Sequence, residues 1–411
     1  MSSSRGRAGQ GTAPTLPPVR WFGPLVLAAG FGMAMTAPLE LLYARRFGVD
    51  HLGVGLFILA TSLGMLLVDV LGTRFVPRVP ARHVMASGIL LFGVSCVVMG
   101  AAPAYWVLLP GRVLQGLGAG LLFGGGLQAA VRVHAGRERA IGAFNGAFLL
   151  GGALGAPAGG WIASAVPGTA GYRVAFFVCS AVCVVVAFGL VTRLPRLAPA
   201  TGDGPVEIGW PRFGGPPGLG LALVLGSIGD FVRGGVVYTA LPLVGAQRSF
   251  STATIGLAVG VLSGVEIVAL SRSEPVLLRF GAVRCILVAL GLGVVASVLV
   301  GTTTGLVAFL AGSMLFGLAV AGATVGPPLV IVALAGDAAV GLAQFRIASG
   351  VGMTVGSTGA AVVAGALGAT RLFALIGGFL LAAIVVAHTV GRRQPQLFAP
   401  DVSPAPAPVG D

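Results

Sequence analysis

Apolar residues run along this chain in long unbroken blocks, with little of the alternation of a half-buried strand or the stripe of a surface helix. Their approximate limits are 22–43, 52–71, 83–103, 105–130, 140–165, 173–192, 218–243, 253–272, 283–301, 305–334, 344–367 and 371–390. About 20 apolar residues, rising about 1.5 Å each, cross the roughly 30 Å hydrocarbon core of a bilayer. A spanning segment has no water to satisfy its backbone groups, so it must be a helix or part of a closed barrel. Blocks of this length predict an all-α membrane protein with twelve transmembrane helices. The ends, 1–20 and 392–411, are polar and rich in proline and glycine, with PAPAP at 404–408, and are expected to be disordered tails. The first lacks the short apolar core and cleavage site of a signal peptide. A polar stretch at 193–217 separates 21–192 from 218–391. The two halves echo each other weakly: "VGLFILATSLG" at 54–64 resembles "IGLAVGVLSG" at 255–264. Two pseudo-symmetric six-helix halves are the pattern of a large class of secondary transporters.

Composition sharpens this picture. The chain is 56% hydrophobic and only 9% charged, against about 25% charged in soluble domains. The net charge of +13 comes entirely from arginine, since lysine is absent. The arginines gather in the short segments between blocks, which reads as membrane topology and implies no nucleic-acid partner. With the N-terminus inside, the cytoplasmic segments hold Arg74, Arg78, Arg82, Arg132, Arg137, Arg139, Arg193, Arg196, Arg272, Arg279, Arg284 and both tails' arginines, among others. The opposite side holds only Arg45, Arg46, Arg173, Arg248 and Arg371. That bias places both termini and the 193–217 loop in the cytoplasm. The composition suggests a GC-rich bacterium, hence the inner membrane.

No GxxxxGK[ST] motif is present, so nucleotide-driven transport has no support, and no cofactor is expected. Cys96, Cys179, Cys183 and Cys285 lie in apolar blocks and read as buried small hydrophobes rather than metal ligands. His51, His83, His134 and His388 lie near block ends, and no Ser/His/Asp or His/Cys cluster gathers at one depth, which disfavours an enzyme. A monomer in the lipid bilayer, acting on a small molecule, is the expectation.

Charged side chains inside a membrane are functional candidates by default. Here they are Glu40, Arg112, Asp230, Arg233 and Glu266. Arg112 sits within "LLPGRVLQGLGAG" (108–120), where a guanidinium costs roughly 2.5–3.5 kcal/mol unless it is paired or faces a cavity. Glu40 lies toward the outer end of the first block, where reaching the headgroups is an alternative to burial. Asp230 and Arg233 are spaced i,i+3 and are expected to pair. Glu266 has no cation within a turn on its own helix, so desolvation should favour its protonated form. On that basis Glu266 is the expected proton carrier, and Asp230 with Arg233 a cargo or gating pair.

At these residues the chain resembles the major facilitator superfamily, and within it the twelve-span drug/proton antiporters. The fourth-block stretch matches the family's motif at Leu108, Arg112, Gln115, Gly116, Gly118 and Ala119. "GGALGAPAGG" (151–160) resembles the antiporter motif through Gly151, Gly155, Gly159 and Gly160, with the proline displaced to Pro157. The motif after the second span is degenerate: Asp69 and Gly72 fit, Arg74 is near its place, and Met65 replaces a glycine. The resemblance implies proton coupling and cargo contact for Arg112 and Gln115, and gating for the fifth-block and 69–74 residues. Physical reasoning adds that small-xxx-small faces allow close helix approach and that Pro157 can bend its helix.

The reading is therefore proton-coupled efflux of an amphipathic drug or natural product by alternating access. A sugar or metabolite permease of the same fold is the alternative within transport. A non-transporting receptor or scaffold is the alternative outside it.

Overall fold

The computed structural model describes residues 20–75, 78–133, 137–196, 218–335 and 338–393. The tails and most of the 193–217 loop lie outside these residues. Among the described residues all regular structure is helical. The first half comprises α1 (Phe22–Arg45), α2 (His51–Phe75), α3 (Ala81–Gly100), α4 (Tyr105–Val133), α5 (Arg137–Ala165) and α6 (Thr169–Arg193). The second opens with a composite span: α7 (Leu219–Val232), a π-helical segment (Arg233–Ala240) and α8 (Leu241–Gln247). There follow α9 (Thr252–Ser271), the short α10 (Ser273–Phe280), α11 (Ala282–Thr302), α12 (Leu306–Ala335), α13 (Ala338–Leu367) and α14 (Ala369–Arg393). Among the described residues eleven helical stretches are long and apolar enough to cross a membrane, and Leu52–Val68 within α2 is a shorter apolar one. These are the twelve expected spans.

Two boundaries differ from the sequence reading. The seventh span is interrupted by the π segment. The arginine-containing stretch after the eighth span folds as α10, because Pro275 falls in its first turn, where a missing N–H costs nothing.

Within the first half, α1 packs on α5 and α6, and α4 on α2 and α3. Within the second, α12 packs on α7, α9 and α11, and α13 on α7 and the π segment. Large apolar side chains such as Val185 and Phe188 are about 70% exposed, as expected where lipid replaces water as the neighbour.

Close backbone contact holds the helices together. Gly151, Gly155 and Gly159 recur every four residues on α5, and a Cβ at each would come within about 2.1 Å of the carbonyl oxygens of Leu27, Phe31 and Met35 on α1. Those carbonyls share the same spacing, so any side chain on this stripe would force α1 away from α5.

The halves meet along α5 with α9 and α2 with α13. Gly160 lies against the Thr252 carbonyl and Gly256, and the Thr252 hydroxyl donates to the Gly160 carbonyl at 3.0 Å. Gly260 lies against Pro157, and Gly55 against Val362. These contacts share the end that carries the α1–α2, α5–α6, α8–α9 and α13–α14 turns. Farther along the same faces, a Cβ at Gly146, Gly142 or Gly264 meets nothing within 4 Å. Among the described residues the halves are thus in close contact at that end, with open space beside these glycines farther along. Pro157 lies inside the unbroken α5 and serves this contact.

Candidate functional site

Among the described residues, each half carries one buried ionic cluster. In the first, Arg112 of α4 donates through Nη1 to Glu40 Oε2 on α1 and to Gln115 Oε1 one turn along its own helix. Gln115 Nε2 donates to Glu40 Oε1, and the Thr36 hydroxyl donates to that oxygen at 2.8 Å. Arg112 Nε reaches the Phe57 carbonyl at 3.3 Å, and its guanidinium lies 4.6 Å from the Phe57 ring centroid. Glu40 and Arg112 are each 8% exposed. Glu40 therefore turns inward to Arg112 and does not reach the headgroups. Every acceptor on the carboxylate has a donor, the condition under which a buried ion pair is tolerated. Pro38 and Pro110 precede Glu40 and Arg112 by two residues in their helices. Each removes one backbone donor just where the charged side chain leaves the helix.

In the second half the sequence expectation is corrected. Arg233 opens the π segment and donates through both terminal nitrogens to Glu266 of α9, at 3.2 Å for Nη1–Oε2 and more closely for Nη2–Oε1. Its contact with Asp230 is a longer one, 3.6 Å from Nε to Oδ1. Glu266 is fully buried and is not a lone carboxylate; its cation comes from another helix, invisible to spacing along α9. Asp230 instead accepts a hydrogen bond from the Ser349 hydroxyl of α13. Thr324 of α12 lies 3.5 Å from Arg233 Nη2. Two carboxylates thus share one guanidinium.

The π segment creates this geometry. Its wider turns follow the Gly234–Gly235 pair, where a Cβ on Gly234 would meet the Met353 carbonyl at 2.4 Å. The Thr239 hydroxyl lies 3.2 Å from the Gly234 carbonyl five residues back and 3.3 Å from the Ser357 carbonyl of α13. It thereby ties the irregular segment to α13. Tyr238, on the same segment, lies within electrostatic range of Arg233, Glu266 and Asp230, and of Glu40 across the boundary between halves.

Of the sequence candidates, the structure brings together Glu40, Arg112 and Gln115, and separately Asp230, Arg233 and Glu266. Gly151, Gly155 and Gly159 face α1, and Pro157 and Gly160 face α9. Asp69, Gly72 and Arg74 belong to the last turns of α2, and their side chains lie outside the described residues. Sequence reasoning missed Phe57, Tyr238, Thr324 and Ser349, which come from other elements. Thr36 was in reach, four residues before Glu40 on one helix face.

A two-halved bundle of twelve spans with ionic clusters buried between its helices defines a multi-pass membrane transporter rather than an enzyme. The Major Facilitator Superfamily model matches residues 21–272, well over half the chain, and the protein belongs to that family. No curated protein matches it in sequence. Among solved structures it is similar to a bacterial homologue of the human lysosomal transporter Spinster in an inward-facing, unoccupied conformation. That match has 15% identity, a TM-score of 0.72, and covers 94% of this chain and 98% of that one. A proton-dependent oligopeptide transporter aligns with 14% identity and TM-score 0.70, over 92% and 99% of the two chains. The nucleoside transporter NupG aligns with 10% identity and TM-score 0.67, over 90% and 98%. At such identities the likeness establishes the fold.

Proposed function

We propose that the protein is a proton-coupled exporter of amphipathic small molecules, working by alternating access of its two halves. The observation that carries this reading is the sharing of Arg233 by Asp230 and Glu266. A buried cluster with two carboxylates and one cation holds one negative charge too many, and a bound proton removes it. Because the carboxylates are coupled through one guanidinium, the proton belongs to the pair rather than to either residue. Rearrangement of α7, α9 and α13 as the halves rock would change how Arg233 is divided, and so load and release that proton. The balanced Glu40–Arg112–Gln115 cluster supplies polar contacts to cargo and takes up charge changes through Gln115. Counting both clusters, the site is one charge negative, which favours neutral or cationic cargo.

The arginine bias supports cytoplasmic termini in a bacterial inner membrane. With that orientation, the end at which α5 meets α9 is the outer one, and we infer an inward-facing arrangement like that of the similar Spinster homologue. The protein is proposed to act as a monomer.

Transport into inverted vesicles, with and without a proton gradient and against a panel of lipophilic cations and neutral amphiphiles, tests the proposal. Gradient-dependent uptake of a panel member, abolished by Asp230→Asn and by Glu266→Gln, is expected. Accumulation of sugars or other hydrophilic metabolites in right-side-out vesicles instead would identify a permease.

A further inference from the structure

Behind the π segment, on the side away from Arg233, lies an apolar cavity of about 220 Å³. It is lined by Phe231, Val232, Gly235 and Val236 of the seventh span, by α13 from Val355 to Val363, and by α14 from Leu372 to Phe379. Val355, Leu375 and Phe379 are about half exposed, so it opens sideways, out of the helix bundle. The rings of Phe231 and Phe379, centroids 4.6 Å apart and tilted by 38°, wall one end. At the other end Arg371 is exposed, one helical turn before Leu375 and so on the same face of α14, with no ion pair among the described residues. From Arg371 to Phe379 the helix rises about 12 Å, within the roughly 15 Å depth of one leaflet's hydrocarbon.

We propose that this cavity holds one acyl chain of an anionic bilayer phospholipid, with the phosphate at Arg371. Its volume exceeds the roughly 150 Å³ at which an apolar void takes up small hydrocarbons. It falls below the roughly 300 Å³ at which pockets enclose a drug-sized molecule. Part of a flexible chain fits, with the remainder lying in the open mouth, whereas a compact cargo is not enclosed. Leaving the void empty would forfeit dispersion contacts along its whole lining. The mouth faces the solvent whose molecules carry such chains, and the exposed Arg371 guanidinium favours a negatively charged phosphate headgroup. Occupancy would brace the back of the segment whose front presents Asp230 and Arg233.

The test reconstitutes the full chain in phosphatidylcholine vesicles with a trace of phosphatidylglycerol bearing a photoactivatable acyl chain, followed by peptide mapping. Label should saturate and concentrate in 355–363 and 372–379. Gly359→Leu should cut it there at least threefold: a Cβ at Gly359 meets nothing within 4 Å, so leucine fills the void without moving backbone. An unchanged melting temperature would confirm the fold of that variant. Arg371→Gln should lower labelling by phosphatidylglycerol at least threefold while sparing a phosphatidylcholine analogue. Labelling of Val185 and Phe188 on α6 as heavy as in the cavity, or indifference to Gly359→Leu, would overturn the chain site. Indifference to Arg371→Gln would overturn the headgroup contact.

Discussion

The two buried clusters differ in arithmetic and in scaffold. In the first half one carboxylate meets one guanidinium, with Gln115, Thr36 and the Phe57 carbonyl filling the remaining valences on helices that keep α-helical geometry. In the second half two carboxylates compete for one guanidinium, and the backbone that presents it is π-helical. A balanced pair whose carboxylate oxygens both have donors is suited to holding its state. An unbalanced one on an irregular helix is suited to changing it. On the proposed function, the exchangeable charge belongs to the second half.

The comparison breaks most severely at Arg233. Arg233→Met leaves two buried carboxylates without a cation, a loss of roughly 3–5 kcal/mol for a broken buried pair. The variant should fail to give a monodisperse peak in detergent chromatography. Adding Glu266→Gln and Asp230→Asn should restore the peak without restoring transport. A monodisperse single variant would show that the cluster is not charge-coupled.

Arg112 comes next. Arg112→Lys keeps one charge for Glu40 but loses the planar fork and the Nε contact to Phe57. One charged hydrogen bond is worth about 1.5–3 kcal/mol. Gradient-driven transport should therefore fall about tenfold or more, while expression stays at the wild-type level. Transport by Arg112→Lys at the wild-type rate would reduce Arg112 to a point charge.

The smallest effect concerns the meeting of the halves. A Cβ at Gly160 would lie 2.3 Å from the Thr252 carbonyl, whereas one at Gly146, about four turns away on the same face, meets nothing within 4 Å. Gly160→Ala should disfavour the closed end and raise the labelling rate of a cysteine placed at Thr254 severalfold. Gly146→Ala should leave that rate unchanged. Equal rates in both variants would remove the α5–α9 contact from the gate.

The fold was legible because blocks of about 20 apolar residues admit few structures in lipid, and because Arg112, Gln115 and the glycines of the fifth span stand at telling spacings. The glycine stripe of α5 announced its close approach, though not that α1 supplies the opposing carbonyls. The clusters were legible as residues but only half legible as partnerships. Spacing along one helix correctly brought Asp230 near Arg233. It could not reveal that Glu266, thirty-three residues on, takes both terminal nitrogens, or that Ser349 serves Asp230. Nor did the run GGVVYTA at 234–240 betray a π-helical segment, whose Thr239 hydroxyl bonds to a different helix, α13.

The central claim, that the second half alone carries one carboxylate too many, is tested most directly by infrared difference spectroscopy. The reconstituted protein is titrated and the C=O stretch of protonated carboxyl groups is followed, which needs no knowledge of the cargo. One buried carboxyl band should titrate in the wild type. It should vanish in Asp230→Asn and equally in Glu266→Gln, because either change leaves one carboxylate for one arginine, and it should persist in Glu40→Gln. A band that survives both second-half substitutions and disappears with Glu40→Gln would place the exchangeable proton in the first half and contradict the account.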